Sequence, residues 1–123
     1  MRAENRPTMR PAQRLKRRQD FSAVYHGGAS FTRGSLVLKV RANPDTAEPR
    51  FGFAVGKRLG SAVIRNRVKR RLRAAIDTLQ PRGQDDVVVI ARAGAVQASY
   101  QELETTMRGL LGDAGLLNTA AAQ

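Results

Sequence analysis

The chain has 123 residues, 41% of them hydrophobic, no cysteine and a net charge of +12, which fits one domain with a modest core and excludes a disulfide framework or thiolate metal site. No apolar run reaches the roughly 18 residues of a membrane span, and the N-terminus lacks a secretory-type apolar stretch, so no membrane partner and a cytoplasmic location are expected. The charge is uneven: residues 1–73 hold 19 Lys and Arg against 4 Asp and Glu, and residues 74–123 hold 3 against 6.

Residues 1–13 combine Arg2, Arg6, Arg10, Pro7 and Pro11 with almost nothing to bury, the composition of a disordered basic arm that can touch RNA. The first periodic element starts near Arg14, where Leu15, Phe21, Val24 and Tyr25 recur at helical spacing before the break at Gly27-Gly28. From about Ser35, Leu36, Leu38 and Val40 alternate with Val37, Lys39 and Arg41, a strand with one mainly apolar face. Asn43-Pro44-Asp45 reads as a turn. The next strand, Arg50 to Val55, sends Phe51, Phe53 and Val55 one way and Gly52 and Ala54 the other, leaving a smooth face open to close approach.

Gly56 to Gly60 forms a basic loop with Lys57 and Arg58. Ser61 is a cap for a helix to about Leu79, stopping before Pro81, with the apolar seam Ile64, Val68, Leu72, Ala75, Ile76 and Leu79 beside a cationic row of Arg65, Lys69 and Arg73. Asp86 to Ala91 carries the unbroken run Val87-Val88-Val89-Ile90, which predicts a central strand buried on both faces and parallel to the Arg50 strand. Ser99 and Glu102 have capping-box spacing, and Tyr100, Leu103, Met107, Leu110 and Leu111 make the stripe of a final helix. Residues after Gly112 are expected to fray. The folded part is thus expected over residues 14–112, with a flexible tail at 113–123.

The densest charge lies in the second helix. Between Glu48 and Asp77 there are nine basic residues and no carboxylate, six of them within Arg65–Arg73. Like charges three and four apart repel by a few tenths of a kcal/mol per pair, and Arg65 and Arg67 stand near the positive end of the helix dipole. A solvated helical face normally mixes signs, so this surface points to a polyanion such as RNA. Phe21 and Tyr25, one turn apart, are able to stack on single-stranded bases; Phe21 alternatively belongs to the core. One histidine and no cluster of carboxylates make neither a general acid–base pair nor a metal cage, so the chain alone is not expected to cut phosphodiester bonds.

Gly52-Phe53-Ala54-Val55-Gly56-Lys57-Arg58-Leu59-Gly60-Ser61-Ala62-Val63-Ile64-Arg65-Asn66-Arg67-Val68-Lys69-Arg70-Arg71-Leu72-Arg73 resembles the signature of the protein subunit of bacterial ribonuclease P. Arg14-Leu15-Lys16 leading to Phe21, Tyr25 and Gly27 is similar to that family's first helix, and Val87–Arg92 to its last strand. The resemblance implies a small α+β domain of about four strands with a left-handed βαβ crossover, as in the second domain of ribosomal protein S5. It implies assistance in removing the 5′ leader of precursor tRNA, with hydrolysis performed by a catalytic RNA subunit that holds Mg2+.

On that resemblance Arg65, Asn66, Arg67, Lys69, Arg70 and Arg73, with Lys57 and Arg58 of the loop, contact RNA. Phe21, Tyr25 and Leu38 line a cleft for the leader; Leu38 stands where relatives often carry an aromatic residue, so only apolar contact is expected there. The partners implied are the catalytic RNA and precursor tRNA, with no obligate protein partner; Mg2+ is expected mainly on the RNA, and no residue of the chain is assigned as a metal ligand. Two other readings are a general RNA-binding or ribosome-associated protein and a helix-turn-helix DNA binder. The first, if built on a KH module, calls for Gly-x-x-Gly, whereas three residues separate Gly56 from Gly60; the second needs a helix just before Ser61, where a strand is predicted.

Overall fold

A computed structural model describes residues 13–117; the expected arm up to residue 12 and the tail from residue 118 lie outside the described residues. Helix α1 (Arg18–Gly27) leads into a hairpin of β1 (Ala29–Arg33) and β2 (Leu36–Ala42). Next come β3 (Arg50–Val55), a 3-10 turn (Lys57–Leu59), α2 (Ala62–Leu79), β4 (Asp85–Ala91), the short α3 (Gly94–Gln97) and α4 (Tyr100–Asp113). The strands form one mixed sheet in the order β1-β2-β4-β3. Neighbours β1–β2 and β2–β4 run antiparallel, and β3 lies parallel to β4 across the α2 connection. The chain is therefore a small α+β domain, with β4 central and parallel to β3 as its apolar run predicts.

Strand β4 is fully buried at Val87, Val88 and Val89. Val87 and Val89 join the main core with Leu36, Leu38 and Phe51 of the sheet, Val68, Leu72 and Ile76 of α2, and Leu103, Met107 and Leu110 of α4. Val88 faces the other way, into a smaller cluster with Leu15 and Val24, flanked by Phe21, Ala54 and Ile90. Each fully buried aliphatic side chain contributes about 1.5–3 kcal/mol, so the α1 side is the lighter of the two covers.

The local signals act as the sequence predicts at α2 and α4. The Ser61 hydroxyl accepts from the Ile64 N–H, and α2 stops at Gln80 just before Pro81. At α4, the Ser99 N–H donates to Glu102 Oε1 at 2.8 Å and the Glu102 N–H to Ser99 Oγ at 3.1 Å, a complete capping box.

Elsewhere the structure differs from the periodicity. Helix α1 begins at Arg18, not near Arg14; Leu15 is extended and its N–H donates to the Phe51 C=O at 2.9 Å along the free edge of β3. Strand β1 shows no apolar alternation because it is an edge strand with only Phe31 partly covered. Its mark is the two-residue loop Gly34-Ser35 between the paired Arg33 and Leu36, with Gly34 at φ 51°. The fold also runs past Gly112. Leu116 is 3% exposed, its C=O accepts from the Arg82 N–H, and its N–H donates to the Leu111 C=O, because it still has apolar surface to bury.

Two ion pairs brace the fold, one within the sheet and one between the sheet and α4. Asp86, 3% exposed at the start of β4, accepts from Arg50 Nε and Nη2, both at 2.8 Å, and from Asn43 Nδ2 at 3.1 Å. Arg33 of β1 reaches Asp113 at the end of α4 through Nε at 2.8 Å and Nη2 at 3.0 Å, and its hydrogen bond holds the Asp113 carboxyl below the usual carboxylate range. Arg50→Met leaves a buried carboxylate with one amide donor and is expected to lower unfolding free energy by about 3 kcal/mol, measured by urea titration. The Arg33–Asp113 stabilisation is present above the unfolded carboxylate pKa and lost as pH falls through the lower folded value. The stability gap between the wild type and Asp113→Asn should accordingly close on acidification; a gap that widens contradicts the pairing.

Candidate nucleic-acid interface

Helix α2 sorts its cations by what the seam leaves free. Val68, Leu72, Ala75 and Ile76 are buried against the sheet. Asn66, Arg67 and Arg70 are exposed, and Arg65, Lys69 and Arg73 are half-buried along the flank. Arg65 donates through Nε to the Gly60 C=O at 3.2 Å, which fastens the basic loop to the helix while its Nη atoms take no part in that bond. Lys57 and Arg58 are exposed on the 3-10 turn between β3 and α2. The structure thus brings all eight predicted RNA contacts onto α2 and the turn before it.

The six cations within Arg65–Arg73 do not share one role. Arg71 turns the other way and donates to the Ala98 C=O at 3.0 Å, linking α2 to the segment before α4. The ion pairs among the described residues, Arg33–Asp113, Arg50–Asp86 and Arg108–Glu104, involve none of the eight. Positive charge concentrated in a loop and a helix whose one carboxylate, Asp77, stands near its C-terminal end is the electrostatic footprint of a phosphate backbone. A strand and a 3-10 turn precede α2, so it is not the second helix of a helix-turn-helix.

A second surface lies on the α1 side of the sheet. Cross-strand partners share a face, which puts three rows there: Arg41, Asp86 and Arg50; then Lys39, Val88 and Gly52; then Val37, Ile90 and Ala54. The Phe21 ring sits on Gly52, where an added Cβ would lie 2.4 Å from Phe21 Cζ. The smooth face of β3 is therefore smooth for Phe21, which secures α1. Gly27 lies against Arg41 and the Asp20 charge acts on Arg50, so that flank of α1 faces the first row. Tyr25 is about 140° round the helix from Asp20 at 3.6 residues per turn, so its flank faces the third row. Tyr25 remains 39% exposed, and its partial burial raises the phenol pKa above the ordinary tyrosine value.

Leu38 does not belong to this cleft. It is 0% exposed and packs in the main core under α2 and α4, because in a strand neighbouring residues face opposite sides and a one-residue shift changes the face. Val37 and Lys39 are the β2 residues on the α1 side. Val37 and Ile90 were not singled out by motif or composition, and Ala54 only as part of the smooth face of β3; the signal that joins them is strand alternation once α1 is known to cover that face.

A sequence profile of the ribonuclease P family matches residues 9–115. The chain belongs to the ribonuclease P protein family. It is 42% identical over 111 residues to the ribonuclease P protein component of Symbiobacterium thermophilum, covering 89% of this chain and 96% of that protein. It is 33% identical over 119 residues to the component of Bacillus velezensis, covering 94% and 100%. Among solved structures, the Staphylococcus aureus RNase P protein superposes with a TM-score of 0.80 at 29% identity, covering 86% of this chain and 98% of that one. The RNase P protein from Thermotoga maritima gives 0.74 at 27% identity, covering 81% and 96%. This ribonuclease P protein has no helix among its described residues long and apolar enough to cross a membrane. Among those residues no three His, Cys, Asp or Glu side chains gather as a metal ligand set.

Gly52→Val should force the Phe21 ring off β3 and lower unfolding free energy by about 1–3 kcal/mol, with partial recovery in the double variant that adds Phe21→Ala. Urea unfolding of the single and double variants checks this; an unperturbed Gly52→Val would mean that the ring does not occupy that position.

Proposed function

We propose that this ribonuclease P protein binds the catalytic RNA subunit through α2 and its loop and guides the single-stranded 5′ leader of precursor tRNA through the cleft under α1. The observation that carries the reading is the separation of two surfaces on opposite faces of one sheet. On one, Arg67, Lys69 and Arg70 with Lys57 and Arg58 form a cationic surface suited to folded RNA, while Asn66 offers both a donor and an acceptor. On the other, Tyr25 stands beside the apolar row of Val37, Ile90 and Ala54, a stacking platform of the kind that follows a single strand. Lys39, one row away on the same face, supplies a cation where apolar contact was expected of Leu38, so leader contact there is electrostatic.

The chain supplies binding and orientation. In this reading no hydrolytic step is assigned to its side chains. In the proposed complex Mg2+ is held by the RNA, and the protein raises affinity by covering phosphates that otherwise repel substrate.

Reconstitution tests this. Adding the protein to its cognate RNA subunit at low Mg2+ should raise leader removal, and no gain in cleavage or precursor affinity would refute the proposal. The triple variant Arg67→Ala, Lys69→Ala, Arg70→Ala should weaken RNA binding and reduce the salt slope by about 3, about one for each lost phosphate contact. Tyr25→Ala should cost about 1–2 kcal/mol of affinity for leader-bearing substrate, the scale of one stacked base, and leave leaderless tRNA unchanged; equal losses on both would rule out the leader cleft.

A further inference from the structure

Two cations meet at the free edge of β3, off the exposed face of α2. Arg14 pairs with Phe51 as a parallel bridge, and the next residue, Leu15, is anchored by its N–H bond to the Phe51 C=O and by a buried side chain. Because bridge partners share a face, the Arg14 side chain projects on the α2 side of the sheet, beside Phe51 and Phe53. From above, α2 lowers Arg73 over the Phe53 ring, its Cζ 5.6 Å from the ring centroid. Burial, and then the Arg14 charge, hold the Arg73 guanidinium below the usual arginine range.

Neither arginine takes part in an ion pair among the described residues, and each is attached to its own anchor, Arg14 to the β3 edge and Arg73 to α2 and the face of Phe53. Two guanidiniums on the same face of one strand edge, one beside Phe51 and the other with a ring face against Phe53, carry N–H donors of the kind that suits a tetrahedral oxyanion. The flanking charges, Lys69 and Arg70 on α2 and Lys16 and Arg17 beyond Leu15, extend the same positive field.

We propose that Arg14 and Arg73 jointly hold one phosphate of bound RNA at the β3 edge, so that RNA binding fastens the segment before α1 to α2. This rests on the RNA-binding reading of α2 and deepens it: the two surfaces on opposite faces of the sheet are joined around the β3 edge by one shared contact. The phosphate also removes the repulsion that the free protein carries there.

A double-mutant cycle on the cognate ribonuclease P RNA transcript tests it, using Arg14→Gln and Arg73→Gln, with Arg67→Ala, Arg70→Ala as the control for the α2 face. Each glutamine variant should weaken binding about tenfold, the scale of a lost charged hydrogen bond, and the double variant should be scarcely weaker than either single one. In the absence of RNA, Arg14→Gln should unfold at the same temperature as the wild type or higher, because a repulsion is removed. Losses that multiply in the double variant, no loss from Arg14→Gln, or a lower unfolding temperature for free Arg14→Gln would each overturn the shared site. If the control also binds normally, the α2 reading falls with it; if only the control loses affinity, the shared phosphate alone is wrong.

Discussion

The two-sided burial of β4 is the constraint on which the rest of the molecule depends. Val87 and Val89 need a cover on one face of the sheet and Val88 needs one on the other, so a chain of this size has to divide its few helices between them. Helices α2 and α4 form the heavy cover and α1 the light one. That division places the cation-rich helix and the aromatic flank of α1 on opposite faces, and it leaves the β3 edge, closed by Arg14 and Leu15, as the place where the two surfaces meet.

Charge is distributed by the same logic. The cations that brace the fold have partners matched to them in geometry: Arg50 on the buried Asp86, Arg33 on Asp113, and Arg71 on the Ala98 carbonyl. Those on the outer face of α2 and its loop have none of these carboxylates. An arginine bonded within the fold is held in a set orientation by its hydrogen bonds, whereas one on the outer face keeps donors available for a ligand. Sorting the arginines in this way turns a global excess of charge into a local binding surface, which composition alone does not do.

Much of the architecture was legible because its signals are local. The Ser99–Glu102 capping box, the stop before Pro81, the seam of α2 and the valine run of β4 act within one element, where period and side-chain chemistry dictate the outcome. The outward row of Arg65, Lys69 and Arg73 was legible for the same reason, since the seam determines which side of the helix is left outside; the wider set of eight came from the resemblance to the family signature. Leu15 was misread as helical because an apolar residue at a permissive spacing does not reveal whether its N–H bonds along a helix or to a sheet edge. Strand β1 carries almost no apolar pattern, since an edge strand buries little, and Leu116 follows a glycine that normally marks an end.

The sequence by itself determined the elements, the faces within each element and the excess of positive charge on α2, all of which follow from spacing along one chain segment. Only the tertiary structure decided which face of the sheet α1 covers, and with it the exclusion of Leu38, the inclusion of Val37, Ile90 and Ala54, and the meeting of Arg14 with Arg73. The reason is physical. Alternation in a strand separates two sets of side chains but assigns neither to a neighbour, and residues far apart in sequence come together only when the register of three strands and the seating of two helices are all in place.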